Sequence, residues 1–191
     1  MMPYICTPCS RVDIVDFIEA HHYSHNLNGV MVRYSFKLID EENNLVGAMV
    51  SGGLGMANAW KKYAKRPEEV IELRRLVLID DTKRNAESYF IGASLRWLKK
   101  NTDISTVISY ADPNNGHVGI VYKASNFERL GETAKGKVIK YNGRTFHDKA
   151  IRSKYNGELK PFAVRLKAAL ETGDAVYENT VPKIIYKYDL T

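Results

Sequence analysis

Two short runs hold most of the side chains able to move protons or bind ions: His21-His22-Tyr23-Ser24-His25 and Tyr110-Ala111-Asp112-Pro113. Imidazoles titrate near neutral pH, and a well-placed carboxylate or phenol can exchange a proton with a bound reactant. Each run also has a plainer reading. The histidines could be polar residues of a loop, and an Asp before Pro starts turns. His117 could open a helix or touch a substrate, and both stay open. The two cysteines, Cys6 and Cys9, form one Cys-x-x-Cys with no second pair to complete a zinc site. Two reduced thiols near the end of a first strand are expected, with a redox pair at a strand-to-helix junction as the alternative.

The elements that must position these residues can be read from periodicity. Tyr4 to Cys6 reads as a short strand, and Ser10, with Asp13 three residues on, as the start of a helix ending near His21. His21 to Gly29 is then a polar loop. Val30 to Asp40 and Leu45 to Val50 form a hairpin around Glu41-Glu42-Asn43-Asn44, and 51–63 is irregular. Val70 to Ile79 is a strand, Asp80 to Ala86 a loop, and Glu87 to Lys100 an amphipathic helix. Ile104 to Ala111 is a strand and Val118 to Ser125 a short helix. A second hairpin turns at Asn142-Gly143, followed by a helix over Leu159 to Glu171 and a strand over Lys183 to Leu190.

Alternation in the middle of the chain implies that the strands at 70–79 and 104–111 run parallel through a right-handed crossover. Ligands in such sheets bind beyond the carboxyl ends of the strands, which points to the loop at 80–88 and to Asp112. Arg75 lies in the first of these strands and could pair with Glu72. A regular strand puts those two on opposite faces, so Arg74 is the better partner.

At 191 residues the chain suits one large domain, and with 45% apolar residues it can bury a sizeable core. No apolar run approaches membrane-spanning length, and Met1-Met2-Pro3-Tyr4 lacks a signal-peptide pattern. A cytoplasmic protein with no membrane partner is expected. The net charge is +6, but residues 134–167 hold ten Lys/Arg against two acids, leaving −2 for the rest of the chain. Such a stripe suits a polyanion, or simply a solvated surface.

The element order resembles the GNAT acyltransferase fold: an α/β protein with a mixed central sheet flanked by helices, here extended by a basic C-terminal hairpin and helix. That resemblance implies an acyl-CoA-type donor whose pyrophosphate meets the helix after the central strand. The matching loop, residues 81–88, lacks the glycine-rich signature of the fold but offers Lys83, Arg84, Asn85 and Ser88. Tyr122, in Val121-Tyr122-Lys123-Ala124-Ser125-Asn126-Phe127, matches the tyrosine that acts there as general acid. It could equally be an aromatic packed on the sheet.

Narrower fragments resemble the phage Mom family of DNA adenine-modification proteins, a divergent GNAT-fold group. They are His21-His22-Tyr23-Ser24, Glu72-Leu73-Arg74-Arg75-Leu76, Asn85-Ala86-Glu87-Ser88-Tyr89-Phe90, and Tyr110-Ala111-Asp112-Pro113 with 116–126. The resemblance spans roughly 12–131. It implies an enzyme that adds a small carbamoyl-bearing group to adenine N6 in double-stranded DNA, shielding phage DNA from host restriction. It also implies bound iron, with His22, Tyr23 and Asp112 at the ligand positions, and roles in activity for Arg75 and Ser88 near the donor loop. Lys149, Arg152 and Lys154 are then the expected phosphate contacts, with Tyr141, Phe146 and Tyr155 available for base stacking. A homodimer edge is the rival use of that hairpin. A conventional acyl-CoA N-acyltransferase, or a non-catalytic DNA-binding anti-restriction protein, would keep the same scaffold.

Overall fold

The computed structural model describes residues 3–27, 29–56 and 58–190; Asn28 of the polar loop and Ala57 of the irregular stretch lie outside the described residues. Contacts cluster into two compact units. The first comprises residues 1–111, 117–131 and 184–191, and the second residues 112–116 and 132–183.

The first unit is built on strands β1 (Ile5–Cys9), β2 (Val32–Ile39), β3 (Leu45–Gly52), β4 (Val70–Leu78), β5 (Thr106–Ala111), β6 (Glu128–Glu132) and β12 (Ile184–Asp189). They form one sheet in the order β1-β2-β3-β4-β5-β12-β6. β4 and β5 run parallel, as expected from their crossover, whereas β1–β2, β2–β3, β3–β4 and β5–β12 are antiparallel. The helices are α1 (Val15–His21), α2 (Ala86–Asn101) and α3 (Ile120–Ala124).

Two apolar clusters occupy the two faces of this sheet. Phe90, Ile91, Leu95 and Leu98 of α2 pack with Phe36, Leu38, Met49, Ile71 and Val107. Ile14 and Ile18, just before and within α1, pack with Ala48 and Val50. Met49 facing one way and Ala48 and Val50 the other is the period-2 alternation of a strand buried on both sides. Burying a side chain such as Phe90 or Leu98 contributes about 1.5–3 kcal/mol.

Some boundaries differ from the sequence reading. Ser10 and Asp13 do bond, with the Ser10 N–H donating to Asp13 Oδ2 at 2.7 Å. That bond closes a turn, and the helix begins only at Val15 because Ile14 keeps a non-helical φ of −132°. The helix expected over 118–125 is limited to Ile120–Ala124, since Gly119 sits at φ +80°. Strand β6 was not expected.

Cys6 and Cys9 both lie inside β1 rather than at a strand-to-helix junction, and both are free thiols. Burial pushes Cys6 up to about 12 and Cys9 up to about 11. A thiol reacts as thiolate, so iodoacetamide at pH 8 should label Cys6 and Cys9 roughly 10²–10³-fold more slowly than a free cysteine. Unfolded, these thiols ionise near 9, so above that pH the unfolded chain loses protons that the folded chain keeps. Stability therefore falls as pH climbs from about 9 toward 11–12. Urea midpoints at pH 8 and 10.5, with Cys6→Ala as the flatter control, measure it.

The second unit carries β7 (Lys137–Tyr141), β8 (Arg144–His147), β9 (Lys154–Tyr155), β10 (Glu158–Leu159), α4 (Pro161–Thr172) and β11 (Val176–Asn179). β7 pairs antiparallel with β8 and with β11, and β9 with β10. Asn142 and Gly143 both take positive φ (47° and 70°), the two-residue turn their sequence predicts. Ile139, Leu166, Ala169 and Ala175 form this unit's core. Proline at its first position sets the start of α4 at Pro161, two residues later than expected.

Candidate functional site

The parallel pairing of β4 with β5 covers Val70–Leu73 against Thr106–Ser109 and goes no further. At the same level β4 slips register against β3, so that Val50 faces Arg75 while Ser51 faces Leu73 and Arg74 is the extra residue. A bulge of this kind redirects the side chains around it. Arg74 Nη1 then meets Glu72 Oε2 at 2.8 Å, the pairing the sequence favoured. Glu72 Oε2 also accepts from the Gly55 N–H at 3.3 Å.

Because Arg75 lies opposite Val50, it shares the sheet face packed by α1. His22 caps the C-terminal end of that helix. Arg75 is half-buried, and its charge acts on both His22 and Tyr23. Its Nη1 donates to the Arg74 carbonyl at 2.8 Å, while its buried Nε has no partner among the described residues. Arg75, expected near the donor loop, lies within electrostatic reach of His22 and Tyr23.

The rings of His22 and Tyr23 lie 4.3 Å apart, and those of Tyr23 and His117 5.1 Å apart. Tyr23 is exposed, whereas His22 is buried. Burial, then the charges of Arg75, His117 and His25, bring the His22 imidazole down to about 4, so it is neutral at pH 7. The Ser24 N–H donates to His22 Nδ1 at 3.0 Å, and Ser24 Oγ lies 2.9 Å from the same nitrogen. Nδ1 is therefore an acceptor and the ring proton sits on Nε2.

That arrangement does not fit the expected iron set. A metal-bound histidine donates its second ring N–H outward, whereas Nδ1 of His22 receives a hydrogen bond instead. Asp112 belongs to the second unit, where it is already held. Its carboxylate takes Lys183 Nζ at 3.0 Å and Asn114 Nδ2 at 2.8 Å. Burial pushes that carboxyl up, but the bonds from Asn114 and Lys183 outweigh it and keep it ionised. Among the described residues no group of three His, Cys, Asp or Glu could hold a metal ion.

Tyr122 of α3 sits where β4 and β5 part. Burial raises its phenol above the ordinary value, while a hydrogen bond with Ser109 acts in the opposite direction. Its ring packs on Phe127 (5.6 Å) and Tyr186 (5.3 Å). Ser109 was missed from sequence, yet it shares parity with the core residues Val107 and Ala111, which places it on that face. Tyr122 thus both packs on the sheet and keeps a protonated hydroxyl in place.

The donor-loop residues do come together. A cavity of about 540 Å³ is lined by Lys83, Arg84, Asn85 and Ser88 from the loop and the start of α2, and by Ile120, Val121 and Ala124 from α3. No side chain caps the first amides of α2. Such a helix start, with two cations beside it, suits an anionic group. Ser88 Oγ donates to the Asn85 carbonyl at 3.0 Å, and Asn85 turns the chain with φ +67°. In the second unit, Lys149, Arg152 and Lys154 are all exposed, with Arg152 paired to Asp148 at 3.2 Å. Among the described residues no helix is long and apolar enough to cross a membrane.

Solved structures share this architecture. A ribosomal-protein-S5-alanine acetyltransferase from Vibrio fischeri is similar at TM-score 0.54 and 10% identity, over 99% of this chain and 94% of that one. An aminoglycoside acetyltransferase in complex with coenzyme A is similar at TM-score 0.51 and 14% identity, over 68% of this chain and 87% of that one. These establish a GNAT-like fold. In sequence, the chain is 28% identical over 134 residues to the methylcarbamoylase mom of Escherichia phage Mu, which covers 69% of this chain. The chain spans about half the length (54%) of that relative. The profile of the Mom protein family matches residues 4–178, nearly the whole length described, and the chain belongs to that family.

Proposed function

We propose that this protein is a phage transferase that places a small carbamoyl-bearing group on adenine N6 of double-stranded DNA in the host cytoplasm, so that restriction enzymes no longer cut it. Family membership and the similarity to a methylcarbamoylase support the chemistry. The observation that carries it is the protonated Tyr122 hydroxyl, held beside Ser109 on the same helix that lines the donor-loop cavity.

In this reading the donor is of the acyl-CoA type. Its anionic part lies against the α2 N-terminus, with Lys83, Arg84, Asn85 and Ser88 around it. The N6 lone pair attacks the donor's electrophilic carbon, and the bond from that carbon to the leaving group breaks. Tyr122 gives its proton to the leaving group and takes one back from solvent, while N6 loses one proton to solvent. Arg75 places its positive charge beside His22 and Tyr23, where it favours negative charge developing in the reaction, and the Nε2–H of neutral His22 is a hydrogen-bond donor beside it. Tyr23, tilted against His22 and His117 and exposed, offers the open side of its ring to the base. Asp112 acts by ordering the turn after β5 through Asn114 and Lys183. Lys149, Arg152 and Lys154 hold phosphates.

Expression in bacteria, followed by plasmid digestion to nucleosides and mass spectrometry, should reveal a deoxyadenosine of increased mass that an empty vector lacks. If all deoxyadenosine is unmodified while the protein is folded, the reading is wrong. The likeness to a coenzyme A complex favours a second reading, a conventional acyl-CoA N-acyltransferase. That protein would acetylate a small amine or a protein and leave DNA unchanged.

A further inference from the structure

The second unit has a cavity of its own, of about 800 Å³, that none of the steps above uses. It falls in the size range of sites for small organic ligands. Tyr141 and Phe146, from the β7–β8 hairpin, and Phe162, from α4, supply aromatic walls. Leu166, at 2% exposure, closes the buried end. Arg144 and Arg165 also line it and are exposed, as is Phe162.

The composition of this cavity is selective. Three aromatic rings favour a flat, apolar-faced group, because every nucleobase presents a π-face that stacks on such rings. Two guanidinium groups favour an anion next to that group, and their planar donors match phosphate. Neither the Arg144 nor the Arg165 guanidinium takes part in an ion pair or hydrogen bond among the described residues, and no acidic side chain lines the cavity. A purely apolar ligand would leave both charges idle. The cavity also lies within the stretch where ten Lys/Arg face two acids, so a polyanion is already favoured there.

We infer that this cavity takes one unpaired nucleotide of a DNA strand, its base between Tyr141, Phe146 and Phe162 and its phosphate on Arg144 and Arg165. The inference rests on the DNA reading above and deepens it. An enzyme acting on a base must open the duplex; the target base goes to the reacting site, and the nucleotide left unpaired opposite it needs somewhere to go. A pocket that holds an opened nucleotide lowers the cost of that opening, and it distinguishes a strand from a closed duplex, which surface lysines alone do not.

The test uses the full chain, a 12-nucleotide single strand carrying 2-aminopurine, and a closed duplex of the same sequence. Wild type should quench the 2-aminopurine on binding. Phe162→Ala and Arg165→Ala, both at exposed positions, should lower single-strand affinity by about 5- to 100-fold, and Phe162→Ala should remove the quenching. Phe162→Trp should keep both. Duplex affinity in low salt should change little. If both alanine variants bind and quench the strand as wild type does, the pocket proposal is overturned, while duplex binding and the modified nucleoside would leave the proposed function standing. If wild type binds neither strand nor duplex, both readings fall. If Phe162→Ala leaves DNA binding unchanged and dissociates a dimer, the cavity serves a second copy of the chain and the nucleotide inference is wrong.

Discussion

Replacing Tyr122 by Phe should leave the fold intact and lower the rate of DNA modification by about 10²–10⁴-fold, the usual contribution of a positioned general acid. The ring contacts with Phe127 and Tyr186 need only the aromatic ring, so Phe preserves them. The lost partner does not strand Ser109, whose hydroxyl lies 3.3 Å from the Leu73 carbonyl. The measurement is the rate of modified nucleoside formation by purified protein, alongside the urea midpoint. Because the leaving group requires the proton, kcat should fall while KM for the donor holds. A variant with undiminished kcat would remove Tyr122 from the chemistry and assign it to packing alone.

The largest expected effect on stability comes from Gly119→Ala. A Cβ there would lie 2.2 Å from Cε2 of Tyr186, inside any real contact distance. Tyr186 is fully buried and cannot swing away, and its hydroxyl donates to the Val118 carbonyl at 2.9 Å. The backbone at Gly119 also holds φ +80°, which costs an L-residue further energy. Overpacking costs about 1–3 kcal/mol and the left-handed backbone about 1 kcal/mol more, so a loss of about 2–4 kcal/mol is expected. That is a large fraction of the stability of an ordinary domain. Chemical denaturation of the variant checks this, and a midpoint within error of wild type would show that α3 can shift freely. Since α3 carries Tyr122, the same strain should lower activity in whatever fraction stays folded.

The parallel β4–β5 pair, α2 and the Asn142-Gly143 hairpin were legible because each depends on local pattern: apolar periodicity, crossover length, or a turn that only certain residues can make. β6 and β11 were not. Glu128-Arg129-Leu130-Gly131-Glu132 has one aliphatic side chain, and Val176 to Asn179 is exposed throughout, so partner strands, not propensity, make them extended. The tiny β9–β10 ladder turns at Asn156-Gly157, a second Asn-Gly whose flanks are too short to read as strands.

The candidate site divides along the same line. Arg74 with Glu72 followed from alternation, and the grouping of Lys83, Arg84, Asn85 and Ser88 followed from their place around the start of α2. The placement of Arg75 on the face of His22 did not, because one extra residue in β4 sets it and period-2 arguments are blind to an insertion. Nor did the occupation of Asp112. Its partner Lys183 is 71 positions away in sequence, a distance that no local signal spans.

The place of β12 in the sheet has a consequence for biosynthesis. This strand is sandwiched between β5 and β6, yet it is made after the whole of 112–183. At ordinary ribosomal speed that interval lasts about 4–15 s. Throughout it, β5 on a nascent chain offers unpaired backbone groups along one side, with Val107 and Ile108 among its side chains. A bare strand of this composition is a template for any other extended segment nearby. Burst-like expression, with many copies emerging together, would therefore favour intermolecular pairing over correct closure. Slower translation or a chaperone that covers β5 should raise the soluble yield.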